Sequence, residues 1–142
     1  PHLLAYTRYT MVAEKFEAMV RLGMANSRMK DFYDLWLMSR LFEFDGQTLC
    51  EAIRNTFRRR STPLPDHVPR AFTDEFRKDV QKQAYWRAFL RKSKPEDVPG
   101  DFDAVIDEVS VFLMPVIEAV RGEMPFGWTW PPNGPWVKLI RE

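Results

Sequence analysis

Apolar residues recur at helical spacing along most of the chain, so we expect five helices. The predicted helices run from near Thr7 or Thr10 to Gly23, from Met29 to about Phe42, from Leu49 to about Arg59, from Thr73 to about Lys92, and from Phe102 to about Val120. The fourth helix has room for a break near Asp79. No window alternates polar and apolar residues as a strand does. The pattern therefore predicts an all-α chain.

Capping residues and a proline sharpen these helix boundaries. Asn26 or Ser27 is expected to cap the second helix, and Thr48 with Glu51 has the spacing of a capping box for the third. Pro115 lies inside the last helix, where we expect a kink.

The C-terminal tail, residues 123–142, combines tryptophans with prolines. Prolines remove backbone donors, so we expect no regular structure there, while Trp128, Trp130 and Trp136 favour packing as an irregular strap on the helices. The predicted fold is thus a single helical-bundle domain, residues 1–142, of about five helices with a Pro/Trp-rich irregular tail.

The composition is sufficient for a hydrophobic core and indicates the cellular compartment. Hydrophobic residues make up 45% of the chain and aromatic residues 14%. Cys50 is the one cysteine, so no internal disulfide can form and a reduced, cytoplasmic setting is expected. No apolar run has the length of a membrane span, so we expect no membrane partner. The first residue is Pro1, which suggests a piece of a longer chain.

The net charge of +1 hides an uneven distribution. Residues 51–94 carry twelve basic and five acidic side chains, a net charge of +7, whereas residues 95–142 carry three basic and nine acidic ones, a net charge of −6. The basic block could bind tRNA or another RNA, with Arg58, Arg59 and Arg60 as the first candidates. It could instead dock on the acidic end of its own chain or form a solvated face.

Charged side chains interrupt the apolar faces of the first two helices. Lys15 lies at the edge of the apolar stripe of the first helix, and Asp31 falls within an apolar stripe of the second, with Asp34 and Lys30 close by. Because only a few residues join the two helices, we expect Lys15 to lie close to Asp31 or Asp34. The cluster is either a structural ion-pair network or a site that handles phosphate or metal.

Other kinds of chemistry lack the necessary motifs. His2 and His67 are isolated, and neither HxxxH nor CxxC occurs, so no transition-metal site is predicted. The chain contains no GxGxxG or other glycine-rich phosphate loop. Ser27 has no nearby histidine, which argues against a serine hydrolase.

One long segment resembles a known family. The stretch AEKFEAMVRLGMANSRMKDFYDLW, residues 13–36, closely resembles the C-terminal half of the nucleotidyltransferase AbiEii/AbiGii toxin family, and WPPNGPW at residues 130–136 is similar to the tail of many members. The resemblance implies kinship with DNA polymerase β-type nucleotidyltransferases and a toxin of type IV toxin–antitoxin or abortive-infection systems. Members are implied to bind a nucleoside triphosphate, and some to transfer nucleotides to RNA.

The resemblance also implies roles for single residues. The family lysine falls on Lys15 and the family aspartates on Asp31 and Asp34, which become the catalytic candidates, while Lys15 and Lys30 become the nucleotide-binding candidates. The Gly-Ser motif and metal-binding aspartate pair of the family's N-terminal domain do not occur in this chain. We therefore expect that domain as a partner, with nucleoside triphosphate and Mg²⁺ bound by the full-length parent. For this chain alone we expect neither cofactor nor activity.

Two functional hypotheses remain open. In the first, the chain is the helical C-terminal domain of a nucleotidyltransferase-type toxin, which contributes lysine and aspartate residues to a nucleoside triphosphate site and an RNA-facing surface. In the second, it is a non-enzymatic helical interaction module, and the same lysine and aspartates form a purely structural network. An upstream Gly-Ser and Asp-x-Asp segment in the parent gene would favour the first hypothesis.

Overall fold

The computed structural model of the chain describes residues 2–138, with side chains from residue 7 onward. Within that range it contains six α-helices, two short 3-10 turns and a small three-stranded sheet. The helices are α1 (His2–Leu22), α2 (Met29–Leu41), α3 (Gly46–Arg59), α4 (Asp74–Arg77), α5 (Val80–Ser93) and α6 (Phe102–Arg121), and the strands are β1 (Phe44–Asp45), β2 (Trp128–Trp130) and β3 (Val137–Lys138). The predicted all-α class is confirmed.

Helix α6 supplies the centre of the core. Its buried residues recur every three or four positions and comprise Phe102, Val105, Ile106, Val109, Phe112, Leu113, Val116, Ile117, Ala119 and Val120. The helix packs against both α2 and α3, and α1 packs against the same two helices. The ring of Phe102 meets that of Phe32 of α2 edge-on, with 5.3 Å between centroids. Helices α1, α2, α3 and α6 therefore share one core.

Pro115 lies inside α6, which continues unbroken from Phe102 to Arg121. Proline has no amide hydrogen, so the carbonyl four residues earlier loses its helical donor. The kink expected there stays a prediction. Although α6 is apolar over much of its length, no helix in the described range is both long and apolar enough to cross a bilayer.

Aspartate side chains cap the starts of α3, α5 and α6. α3 begins at Gly46, earlier than predicted, because the Asp45 carboxylate accepts a hydrogen bond from the Thr48 amide at 2.9 Å. The predicted capping box at Thr48 is therefore wrong. The predicted break near Asp79 is confirmed, since the Asp79 carboxylate caps α5 by accepting from the Lys82 amide at 3.0 Å.

The first two helices also begin differently from prediction. α1 begins at His2 instead of either later threonine, because the leucine and alanine residues after it favour helix. α2 begins at Met29 as predicted, but neither Asn26 nor Ser27 caps it with its side chain. The side-chain oxygen of Asn26 instead accepts from the Arg28 amide at 2.8 Å, one residue before the helix.

The tail contains regular structure that the sequence pattern did not predict. Strands β2 and β3 pair antiparallel, and β2 also pairs antiparallel with β1, where Phe44 lies opposite Trp130. The three prolines at 131, 132 and 135 lie between β2 and β3, so the strands keep their amide donors. The expectation of a wholly irregular tail is therefore wrong.

Two tryptophans nevertheless anchor the tail on the helices, as predicted. Trp130 Nε1 donates to the Ser39 carbonyl at 2.7 Å, and Trp136 Nε1 donates to the Phe112 carbonyl at 2.8 Å. The rings of both tryptophans also contact the Phe112 ring, with centroids 4.8 and 6.0 Å away. Each indole thus combines an apolar body with a satisfied polar hydrogen.

The tail lies close to α3 at Gly46, and Gly46→Ala tests that contact. A Cβ added there would lie 2.7 Å from the Trp128 carbonyl oxygen and 2.8 Å from that of Phe126. We expect the free energy of unfolding to fall by about 1–3 kcal/mol, because backbone atoms cannot move aside cheaply. Urea unfolding measures the change.

The matched control is Gly127→Ala, where an added Cβ would have no neighbour within 4 Å among the described residues, its chain neighbours aside. This variant should change the free energy of unfolding by less than about 0.5 kcal/mol. Equal stability of the two variants would show that the tail does not lie against Gly46.

Candidate functional site

Lys15 of α1 lies against two carboxylates of α2. Its Nζ is 2.9 Å from Asp34 Oδ2 and 3.3 Å from Asp31 Oδ1, so the predicted approach of these residues is confirmed. One turn later on α1, Met19 is buried, whereas one turn earlier Met11 is 43% exposed. Lys15 therefore lies at the edge of the core, where its stem is packed and its ammonium faces α2.

Two further cations extend this ion-pair network. Lys30 Nζ donates to Asp34 Oδ2 at 2.7 Å, and Arg28 Nε lies 2.9 Å from Asp31 Oδ2. Lys15, Lys30 and Arg28 thus share two carboxylates, which leaves a surplus of one positive charge. We call these five residues the Lys15 cluster.

Burial opposes the charge of Lys15, but its partners more than offset this effect. Loss of solvent alone would lower the pKa of Lys15, whereas hydrogen bonds and charges from Asp34 and Asp31 raise that pKa above its ordinary value of 10.5. A raised pKa stabilises the folded state below pH 10.5, and the contribution is lost as pH rises through the folded-state pKa. Lys15 therefore stays cationic at neutral pH.

Asp31 is the most buried member of the Lys15 cluster, with 6% of its surface exposed. Its Oδ1 accepts from Lys15. Its Oδ2 lies near the Arg28 guanidinium, yet no donor among the described residues is aligned with it for a hydrogen bond. A small rotation of Arg28 would supply that donor, so the geometry of Arg28 matters to the site.

The Lys15 cluster does not fit a divalent metal ion. No group of three His, Cys, Asp or Glu side chains in the described residues could hold one. Asp31 and Asp34 already face ammonium and guanidinium groups, which occupy the positions that Mg²⁺ would need. The positive surplus suits an anion such as phosphate instead.

A groove of about 580 Å³ opens beside the Lys15 cluster, between the first turn of α2 and helix α5. Arg28 and Lys30 line it on the α2 side, and Tyr85 and Phe89 line it on the α5 side. Cationic groups bind phosphates and aromatic rings stack on bases, so the two walls together match the parts of a nucleotide.

Two of the three arginines predicted to bind RNA share a carboxylate of α1. Arg59 and Arg60 both pair with Glu14, and Arg60 Nε lies 2.6 Å from its Oε2. Arg58 is exposed and takes part in no ion pair with a described residue. The structure therefore leaves Arg58 without an ion-pair partner among the described residues, while Arg59 and Arg60 share one carboxylate.

The other basic residues of segment 51–94 differ in their burial and in their ion-pair partners. Arg77 pairs with Asp103 and Asp107 of α6, which is the docking on the acidic end that one interpretation predicts. Lys82, one of the twelve basic residues of segment 51–94, is buried. Helix α5 holds neither Asp nor Glu, and within the described part of the chain three of its cations are exposed and unpaired: Arg87, Arg91 and Lys92.

Two residues of the site region were missed by sequence reasoning. Arg28 precedes α2 and has no place in its periodic pattern, so no signal indicated its approach to Asp31. Lys82 lies one helical turn before Trp86, which is fully buried. That spacing places both on one face of α5 and could have indicated burial of the lysine.

Comparison with known proteins identifies the class to which the chain belongs. A family model described as nucleotidyl transferase AbiEii toxin, type IV TA system, matches residues 1–108. The class is that of nucleotidyltransferase-type toxins. The chain belongs to the AbiEii toxin family of type IV toxin–antitoxin systems, as the resemblance of residues 13–36 implied. No curated protein and no solved structure matches the chain.

Lys15→Met tests how much the network stabilises the fold. The substitution keeps the apolar stem but leaves two carboxylates without their shared partner, so we expect the free energy of unfolding at pH 7 to fall by about 1–3 kcal/mol. The control is Lys30→Met, whose side chain is 73% exposed and whose effect should stay below about 0.5 kcal/mol. An equal loss of free energy of unfolding in both variants would show that the ion pairs of Lys15 contribute no more than an ordinary surface pair.

Proposed function

We propose that Lys15, Lys30 and Arg28 bind the phosphates of a nucleoside triphosphate, in a site that the chain completes together with the N-terminal domain of its parent. The observation that carries the proposal is the positive surplus of the Lys15 cluster at a partly exposed position. Membership of a nucleotidyltransferase family supports it, since such transfer uses a nucleoside triphosphate and in general a metal ion.

The reaction makes specific demands on these side chains. The oxygen of an acceptor hydroxyl bonds to the α-phosphorus and its proton passes to solvent, the bond from that phosphorus to the bridging oxygen breaks, and pyrophosphate leaves with the negative charge. Lys15 would neutralise charge on the phosphates, and its raised pKa means that it does so without losing its proton. Asp31 and Asp34 would hold the ammonium in place. The metal ion, which the Lys15 cluster does not fit, would be bound by the N-terminal domain.

The groove between α2 and α5 favours a nucleic acid as the acceptor of the transferred nucleotide. Tyr85 lines the groove and is half-buried, so its ring would stack on an unpaired base, while the ring of Phe89 packs against those of Tyr33 and Trp86. The unpaired cations Arg87, Arg91 and Lys92 continue along the same helix. A strand whose end enters the groove would have its backbone beside these cations and its terminus beside Asp31. In this proposal the RNA surface is α5 and not the triplet Arg58–Arg60.

Lys15→Ala in the full-length parent tests the proposed phosphate site. We expect nucleotidyl transfer to fall by about 100-fold, the range for loss of one charge-stabilising group, and toxicity in cells to fall with it. Label transfer from nucleoside triphosphate with Mg²⁺ and total tRNA measures the rate. Lys78→Ala, which removes an exposed lysine outside the cluster, should leave the rate unchanged.

Thermal unfolding of both variants shows whether the proteins are folded at the assay temperature. A folded Lys15→Ala parent that retains full transfer and toxicity would assign the Lys15 cluster to structure alone. That result would favour the helical interaction module in which the ion pairs serve only the fold.

RNA binding by α5 is tested by changing Arg87, Arg91 and Lys92 to Gln together. We expect the affinity for a labelled single-stranded RNA to fall by at least about tenfold. The salt dependence should become shallower by about 0.7 for each phosphate that the protein no longer neutralises. Fluorescence anisotropy at low and moderate salt gives both quantities.

The matched control changes Arg58, Arg59 and Arg60 to Gln, which removes the same charge from another face. This variant should bind RNA more tightly than the α5 variant, because two of its arginines already pair with Glu14. If the two triple variants bind equally well, or if the unaltered protein shows no binding at low salt, the α5 surface is not an RNA site.

A further inference from the structure

Lys82 is a buried cation without a carboxylate partner among the described residues. It is 7% exposed, and its Nζ donates to the carbonyl oxygens of Met24 at 2.6 Å and Asn26 at 2.8 Å. The same ammonium lies 5.0 Å from the centroid of the Phe76 ring and 5.8 Å from that of Tyr85. Carbonyl oxygens and aromatic faces thus replace the solvent around it.

The two carbonyls belong to the connection between α1 and α2. Carbonyls that follow a helix C-terminus lack helical donors and carry partial negative charge, so they suit an ammonium. A buried lysine is costly unless such partners are present, and Lys82 is therefore held at this connection. Its position ties α5 to the segment that leads into the Lys15 cluster.

From Lys82 a series of contacts reaches Lys15. Lys82 binds the Asn26 carbonyl, and the Asn26 side-chain oxygen accepts from the Arg28 amide at 2.8 Å. Arg28 Nε lies 2.9 Å from Asp31 Oδ2, and Asp31 Oδ1 accepts from Lys15. Each contact fixes the next residue, so a shift of the connection would move Arg28 and then Asp31.

We propose that Lys82 is a positioning residue, which fixes the α1–α2 connection so that Arg28 and Asp31 meet Lys15. Lys82 itself touches neither Lys15 nor Asp31; it acts through Asn26 and Arg28. The consequence for nucleotide chemistry rests on the proposed function, but the positioning role is a property of the fold. Its test therefore uses measurements that do not depend on nucleotidyl transfer.

The test compares Lys82→Met with unaltered protein by hydrogen–deuterium exchange and by trace acylation of lysines read by mass spectrometry. Loss of two charge-assisted hydrogen bonds should raise amide exchange in residues 24–31 by about tenfold relative to α6. Acylation of Lys15 should rise about threefold or more, because an ammonium freed from its carboxylates loses its proton more readily. Should Lys82→Met fail to fold, Lys82→Gln, which keeps N–H donors, takes its place.

The control is Trp86→Phe, which weakens the core one turn further along α5. It should lower stability and raise exchange across the whole chain, while the acylation rate of Lys15 stays that of the unaltered protein. The proposal is wrong if the Lys82 variant leaves Lys15 acylation unchanged, or if amide exchange in residues 24–31 rises no more than it does in α6. In either case Lys82 stabilises the core alone. This test stays valid even if the full-length parent is inactive in transfer assays, because it measures only amide exchange and lysine acylation.

Discussion

The need to neutralise Lys15 where α1 meets α2 governs the arrangement of the whole site. An ammonium at the edge of the core is tolerated only if carboxylates replace its lost water, and Asp34 and Asp31 do so at 2.9 and 3.3 Å. Those carboxylates in turn draw in Lys30 and Arg28. The α1–α2 connection, whose Met24 and Asn26 carbonyls accept from Lys82 of α5, leads directly into this network. The exposed surplus charge is thus a consequence of how the two helices pack.

Sequence patterns predicted the helices and the approach of Lys15 to Asp31 and Asp34 because both depend on short spacings. Helical period indicates which side chains share a face, and a short connection makes α1 and α2 neighbours. The partners of Arg60 and Arg77 could not be predicted in this way, since Glu14 and Asp103 lie far away in sequence. The net charge of each sequence block indicated which segments could attract each other, but it did not show which individual side chains are paired or buried. Burial of Lys82 depended on tertiary packing that a count of basic residues ignores.

The strands escaped prediction for a related reason. They have two or three residues each, too few to show alternation, and they pair with segments far away in the chain. Proline content suggested an irregular tail, yet the prolines lie between the strands. The family match ends at residue 108, whereas the core does not, because the second half of α6 and the tail complete it. Residues 13–36 indicate the class of protein, but the scaffold that supports them reaches well beyond the match.

The pairing of Phe44 with Trp130 also has a consequence for the order of folding. On a ribosome, the helices that carry the Lys15 cluster emerge long before the tail. Until the tail follows, Phe112 lacks the two indole rings that contact it and β1 lacks its strand partner. Contacts between distant segments form late and slowly. The Lys15 cluster would therefore be synthesised early, whereas the packing around Phe112 would form only after the tail has been synthesised.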